Sequence, residues 1–226
     1  MDHPAKRFPQ ISAVGESALL VTLDDRISQA VNDRVRSLDA FLQSHPLEGV
    51  LEWVPAYASL LIYYDPLTLK FIELRQYLVT ILPDLRTVDR HASQHIDIPV
   101  SYGGEDGPDL AAVAAHCGLS QAEVVDKHAQ PLYRVGMMGF TPGFAYLMGL
   151  DPLLITPRRE TPRTLVPAGS VGIAGEQTGI YPLDSPGGWQ LIGRTARVLF
   201  DDQREEAFLL SPGDEIRFIP VKLDVL

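Results

Sequence analysis

The sequence predicts an α+β protein of two domains, a small N-terminal α/β sandwich followed by an all-β barrel or sandwich, and three observations carry that prediction. The first 92 residues alternate strand-like runs with amphipathic helical ones; residues 83–94 are polar and have no period; and beyond Leu132 short apolar runs are broken by Gly or Pro every few residues. The boundary therefore falls after residue 92, giving domains 1–92 and 93–226. A length of 226 residues accommodates two cores, each large enough to stand without disulfides or a structural metal.

Residues 18–23 read as a short buried strand. Ser28 opens a helix whose apolar positions Val31, Val35, Leu38 and Phe41 recur at three- and four-residue steps, and Pro46 stops it. Residues 50–54 and 60–64 are two further strands, the second ended by Asp65-Pro66. A helix over residues 68–82 carries Phe71, Leu74, Leu78 and Ile81 on one face. In the second domain residues 95–102 form a strand, and Tyr102-Gly-Gly-Glu-Asp-Gly-Pro is a turn-rich loop. A helix over residues 109–117 stops at Gly118, a left-handed cap; the next begins at Ser120, with Glu123 completing a capping box, and ends near His128. Ser211-Pro-Gly-Asp is a hairpin signal ahead of a last strand over residues 215–221.

Nineteen Lys and Arg against 29 Asp and Glu give a net charge of −10, which repels polyanions and argues against nucleic acid or an anionic membrane as a partner. The N-terminus is polar, and nowhere do about 18 apolar residues run together, so the expected location is the cytoplasm. The single cysteine, Cys117, has no internal partner and agrees with a reducing compartment.

Residues 134–197 differ from this background. They hold 11 of the 18 glycines and six Arg, no Lys and four acids, a local balance of +2 in a chain of −10. Glycine lets backbone N–H groups approach a ligand, and Arg presents a planar fork that fits carboxylate or phosphate, so the segment suits a small anion. On composition alone, barrel corners and solvated arginines are the better explanation. No phosphate-binding Gly-Lys-Ser/Thr loop occurs, and Gly169-Ser-Val-Gly-Ile-Ala-Gly has the wrong spacing for a dinucleotide fingerprint. Ser170 reads as a tight-turn serine, and His91 and His95 lack the carboxylate a metal site would need. Cys117 reads as a small buried hydrophobe. His128, at a helix end just before the Gly-rich region, is either structural or a group that exchanges protons with a ligand. Phe140, Phe144, Tyr146, Tyr181 and Trp189 are core residues of a barrel or the lining of a pocket.

The string Tyr133-Arg-Val-Gly-Met-Met-Gly-Phe-Thr-Pro-Gly-Phe-Ala-Tyr-Leu resembles the B-subunit family of 5-oxoprolinases, whose relatives include the kinase inhibitor KipI and proteins labelled allophanate hydrolase subunit 1. Further matches are Tyr102-Gly-Gly-Glu-Asp-Gly-Pro-Asp-Leu, Thr156-Pro-Arg-Arg-Glu-Thr-Pro-Arg, Val166-Pro-Ala-Gly-Ser-Val-Gly-Ile-Ala-Gly, Gln177-Thr-Gly-Ile-Tyr-Pro and Ser185-Pro-Gly-Gly-Trp-Gln-Leu-Ile-Gly-Arg-Thr. Ala145 and Met148 stand where the family commonly has Pro and Gly. The resemblance implies a cyclophilin-like β-barrel for the second domain. It also implies a complex with two partners, the homologous C and the A subunits of 5-oxoprolinase, that opens 5-oxo-L-proline to L-glutamate at the expense of ATP, with a divalent cation such as Mg2+ accompanying the nucleotide. In that reading Arg158 and Arg163 bind phosphate or substrate carboxylate and His128 moves a proton or orients a phosphate. The substrate pocket is lined by Gly139, Phe140, Pro142, Gly143, Phe144, Tyr146, Gly169, Ser170, Gln177, Tyr181, Gly188 and Trp189. The competing classes are a KipI-like inhibitor of a sensor histidine kinase and a cyclophilin-like prolyl isomerase.

Overall fold

The computed structural model of the protein describes residues 8–85 and 94–221, and contacts divide the chain into two units, Met1–His91 and Ala92–Leu226. The boundary expected after residue 92, like His91, lies outside the described residues.

The first unit runs β1 (Gln10–Val14), β2 (Ala18–Thr22), α1 (Gln29–Ser44), β3 (Val50–Pro55), β4 (Ser59–Tyr64) and α2 (Phe71–Ile81), with the strands in one antiparallel sheet of order β1-β2-β4-β3. Alternation decides which face is buried: Leu19 and Val21 of β2 and Leu60, Ile62 and Tyr64 of β4 share a core with Val35, Leu38 and Leu42 of α1 and Leu74 and Leu78 of α2. Ser28 caps α1 by accepting the Val31 N–H at 3.2 Å. Helix α2 starts later than its apolar period suggests. The Asp65 carboxylate takes the Leu67 N–H and the Thr68 hydroxyl into a turn, and Glu73 accepts the Lys70 N–H at 3.0 Å, so helical geometry begins only at Phe71.

The second unit contains β5 (His95–Tyr102), α3 (Leu110–Cys117), α4 (Gln121–Ala129), β6 (Tyr133–Met138), β7 (Ala145–Met148), β8 (Arg163–Val166), β9 (Ser170–Ala174), β10 (Gln177–Ile180), β11 (Ser185–Gly187), β12 (Gln190–Arg194) and β13 (Glu215–Pro220). Seven of these strands close into a barrel of order β10-β7-β6-β13-β5-β12-β9, while β8 and β11 form a separate ribbon. Ile98, Val100, Val135, Leu147, Val171, Ile173, Ile192 and Phe218 belong to its core, and α3 and α4 pack against β12 and β13.

The hairpin expected at Ser211-Pro-Gly-Asp is corrected by the structure. Among the described residues no strand leads directly into that turn to form a hairpin with β13; instead β13 lies parallel to β5, from Glu215 beside His95 to Pro220 beside Val100, and antiparallel to β6. The cause is Asp214, whose carboxylate accepts the Ser211 N–H within the turn at 2.8 Å and the Gln94 N–H at 2.9 Å, stitching the start of the last strand to the start of β5. Among the described residues no helix is long and apolar enough to cross a membrane.

Candidate active site

The structure brings together the five aromatic residues marked in the sequence. Phe144 is central, with ring centroids 4.7 Å from Tyr146, 5.2 Å from Tyr181, 5.4 Å from Trp189 and 5.6 Å from Phe140, mostly edge-to-face. They come from three places: the β6–β7 loop and β7 itself, the residue after β10, and the β11–β12 turn. Gly187 makes the last approach possible, because a Cβ there would run into the Tyr181 hydroxyl. Phe144, Tyr181 and Trp189 are buried, Tyr146 is half-buried and Phe140 is 60% exposed.

Two arginines act on this cluster. Burial raises the Tyr181 phenol above its usual range, and the Trp189 backbone, Arg158 and Arg163 pull against that rise. Burial likewise raises Tyr146, with Arg158 opposing. Both hydroxyls therefore stay protonated at neutral pH and face positive charge. Arg163 is half-buried and donates from Nη1 to the Trp189 carbonyl at 3.5 Å. Arg158 is exposed and has no carboxylate partner among the described residues.

Sequence reasoning missed Asp109. Its carboxylate is 6% exposed; Oδ1 accepts Arg163 Nη2 at 2.8 Å and Arg159 Nη1 at 3.1 Å, and Oδ2 accepts the Leu191 N–H at 2.7 Å. The Tyr102–Asp109 loop delivers it. Gly103 N–H donates to the Ile192 carbonyl at 3.0 Å, Asp109 N–H donates to the Leu191 carbonyl at 2.9 Å, and Gly107 packs where a Cβ would overlap the Ile192 carbonyl. Asp109 occupies the N-cap position of α3, where Asp ordinarily bonds its own helix, yet its side chain makes no capping bond. The sequence places Asp109 at the start of a helix; the structure shows a carboxylate turned onto β12 and two guanidinium groups.

His128 does not join this group; its contacts are with Tyr102, Thr178, Tyr133 and Phe218 in the barrel interior. The side chain is fully buried and stacks on Phe218 with centroids 4.6 Å apart. Thr178 Oγ1 donates its one hydrogen to the Gly172 carbonyl at 2.9 Å, so it accepts from His128 Nε2 at 2.9 Å; Nδ1 then accepts from the Tyr102 hydroxyl at 2.8 Å. Burial depresses the imidazole to about 3, so it remains neutral near pH 7 and every polar atom is already engaged. The Tyr133 hydroxyl also donates to the His128 carbonyl at 2.9 Å.

The remaining expected residues divide between rim and scaffold. Gly139, Pro142 and Gly143 belong to a tight loop: Thr141 N–H donates to Gly139 O at 2.9 Å, Phe144 N–H to Thr141 O at 3.0 Å and Gly139 N–H to Phe144 O at 3.2 Å. Phe140 sits inside the first of these closures with φ +69°, a γ-turn of the rare, strained kind. Gly143, at φ +83°, packs where a Cβ would come 2.7 Å from Phe200 Cβ. Gly169 and Ser170 hold Tyr181, whose carbonyl accepts the Gly169 N–H at 2.7 Å and whose N–H donates to Ser170 O at 2.9 Å. The Gly188 carbonyl accepts the Arg159 N–H at 2.8 Å, tying the arginine segment to the Trp189 turn. Gln177 is at the opposite end of β10 from Tyr181, paired with Ala174.

The chain that closes this barrel is of the carboxyltransferase-domain class: the family model described as carboxyltransferase domain, subdomain C and D, matches residues 9–210. The chain belongs to the B-subunit family of 5-oxoprolinases. It is 46% identical to the 5-oxoprolinase B subunit from Escherichia coli O157:H7 over 92% of this chain and 94% of that one, and 39% identical to the one from Bacillus subtilis over 94% and 92%. The solved structure of TTHA0988 superposes with a TM-score of 0.78 at 41% identity, over 91% of this chain. The chain spans 40% of that protein's length.

Proposed function

We propose that the protein is the B subunit of an ATP-dependent 5-oxoprolinase and acts with the homologous C and the A subunits to open 5-oxo-L-proline to L-glutamate. The observation that supports the reading at the level of the site is Arg163, whose Nη1 donates to the Trp189 carbonyl at 3.5 Å beside Phe144 and Tyr181, with the charge of Arg158 near enough to oppose the rise of the Tyr181 phenol. A lactam resists water because resonance lowers the electrophilicity of its carbonyl. ATP, when bound, would supply a phosphoryl group to the amide oxygen; water then adds to the imidate carbon, the ring opens as the C–N bond breaks and nitrogen leaves with a proton as the amine, and the acyl phosphate left behind is hydrolysed to the carboxylate and phosphate. Such transfer needs charge stabilisation more than covalent help.

The residues of this chain fit that demand. Arg158 and Arg163 stabilise charge on phosphoryl or carboxylate oxygens. The Tyr146 and Tyr181 hydroxyls, kept protonated, donate to the same oxygens, and Phe140 and Trp189 exclude water from one side. The backbone of residues 139–143 and 169–172 shapes the rim. No group of three or more His, Cys, Asp or Glu able to hold a metal occurs among the described residues; a Mg2+ ion carried largely by phosphates and water needs at most one or two carboxylates, so it fits as a companion of the nucleotide. The barrel is read as cyclophilin-like and His128 as part of its frame. Dependence on ATP fits a cytoplasmic complex.

The test is co-expression with candidate C and A subunits, followed by ATP-dependent release of glutamate from 5-oxoproline. Arg158→Lys and Arg163→Lys should fold as the parent does and turn over at least about tenfold more slowly, because lysine cannot reproduce a bidentate fork. Unchanged turnover in both variants removes the assignment. Stable capture of a histidine kinase, independent of oxoproline, would replace it with the inhibitor reading.

A further inference from the structure

Neither a stability role nor a capping role accounts for Asp109. One buried carboxylate oxygen receives two guanidinium groups, Arg163 at 2.8 Å and Arg159 at 3.1 Å, although a single arginine with the Leu191 N–H already satisfies a buried carboxylate. Placing two like charges on one oxygen costs repulsion. The arrangement makes sense if the charge matters elsewhere. Asp109 with Arg163 alone is a neutral pair, and an arginine so cancelled attracts an anion weakly. Adding Arg159 returns the trio to a net +1 while leaving Arg163 aimed by the same bond.

We propose that Asp109 is the positioning residue of the anion site, fixing the Arg163 fork, and that Arg159 offsets its carboxylate so that Arg163 meets a phosphoryl group with its positive charge uncancelled. This rests on the functional reading above for the anion site at Arg158 and Arg163 and for the identity of the reaction; the ligand chemistry is a phosphoryl dianion, matched by Arg158 and the trio at +2 together. Neither Asp109 nor Arg159 touches the ligand. Arg159 is held instead at its backbone by the Gly188 carbonyl and at Nη1 by Asp109. The turn-rich Tyr102–Asp109 loop thereby acquires a purpose, since its bonds to Leu191 and Ile192 fix where the carboxylate stands.

The two obvious variants change charge in opposite directions, which separates aiming from attraction. Asp109→Asn raises the trio to +2, and Arg159→Gln lowers it to zero. Titrating the full-length chain calorimetrically with inorganic phosphate should show both weakening, Asp109→Asn by at least about fivefold despite its added positive charge, and Arg159→Gln by a similar factor with a shallower salt dependence. Arg159→Lys, which keeps the charge, should recover most of the affinity. Equal or tighter phosphate binding by Asp109→Asn overturns the aiming role. Unchanged binding by Arg159→Gln overturns the charge role, and so does absence of phosphate binding by the parent chain. Should Asp109→Asn fail to fold, Arg159→Gln, altered at a more exposed side chain, decides alone. In the assembled complex both variants should raise the KM for ATP more than they lower kcat. If phosphate binding follows the expected series but no glutamate is released by the parent complex, the Asp109 assignment stands and the oxoprolinase reading falls. Normal ATP dependence in both variants has the opposite consequence.

Discussion

His128 should make the barrel acid-sensitive, and replacing it should remove that sensitivity. The imidazole titrates near 6.5 in an unfolded chain and near 3 when buried between Tyr102, Thr178 and Phe218. Between those values the unfolded state binds a proton that the folded state refuses, so stability rises with pH: the contribution is complete above the unfolded value and is lost as pH falls toward the folded one. The slope approaches about 1.4 kcal/mol per pH unit, and the loss is about 2 kcal/mol at about pH 5 relative to about pH 8. Other groups titrate in the same range, so the informative quantity is a difference. His128→Gln forfeits the Phe218 stacking and the fit of two hydrogen bonds, costing about 1–3 kcal/mol at about pH 8. By about pH 5 that deficit should shrink by about 2 kcal/mol, since only the parent carries the buried imidazole. Urea unfolding at a series of pH values, followed by Trp189 fluorescence in a Trp53→Phe background, measures both. A gap between parent and variant that stays constant from about pH 8 to about pH 5 would mean that the histidine is not held neutral, and the structural assignment would fall.

Other perturbations test the scaffold around the site. Gly107→Ala forces a methyl group into the Ile192 carbonyl and should cost about 2–3 kcal/mol in thermal or urea unfolding while displacing Asp109, so phosphate affinity should fall with it; a stable variant with normal affinity refutes the role of this loop. Asp214→Ala orphans the Ser211 and Gln94 N–H groups and should lower stability by about 2 kcal/mol, with Asp214→Asn recovering part of it. At Phe140 both Gly and Ala delete the ring, but only Gly relieves the positive φ. Phe140→Gly should therefore be about 1 kcal/mol more stable than Phe140→Ala, while both raise the KM for substrate equally. A KM that differs between them would tie binding to the turn and not to the ring.

Local signals predicted what local forces decide. The alternation in β2 and β4 and the period of α1 survive because each element buries one face within its own unit, and Ser28 and Ser120 cap the helices they precede. Strand β1 escaped notice for the converse reason: Gln10-Ile-Ser-Ala-Val is an edge strand with most positions exposed, so pairing with β2 holds it and no apolar pattern marks it. The Ser211-Pro-Gly-Asp turn has hairpin chemistry, but the partner of its strand is β5, 120 residues away in sequence at the Gln94–Asp214 bond.

Much the same limit applies at the site, where the surroundings of a titratable residue are set by the closed barrel. His128 drew attention because an imidazole near a glycine-rich segment has a suitable solution pKa, yet its fate depends on Tyr102, Thr178 and Phe218, three residues that converge only when the barrel closes. Asp109 drew none because an Asp ahead of an apolar helical run has an adequate local explanation. Only the missing capping bond, together with two guanidinium groups on one oxygen, shows that the local explanation does not apply. Arg158 and Arg163 were proposed because arginine density in a chain of net charge −10 is an anomaly to which the family resemblance then attached a ligand. The carboxylate that aims one of them is a single acid among 29, and no composition can distinguish it from the rest.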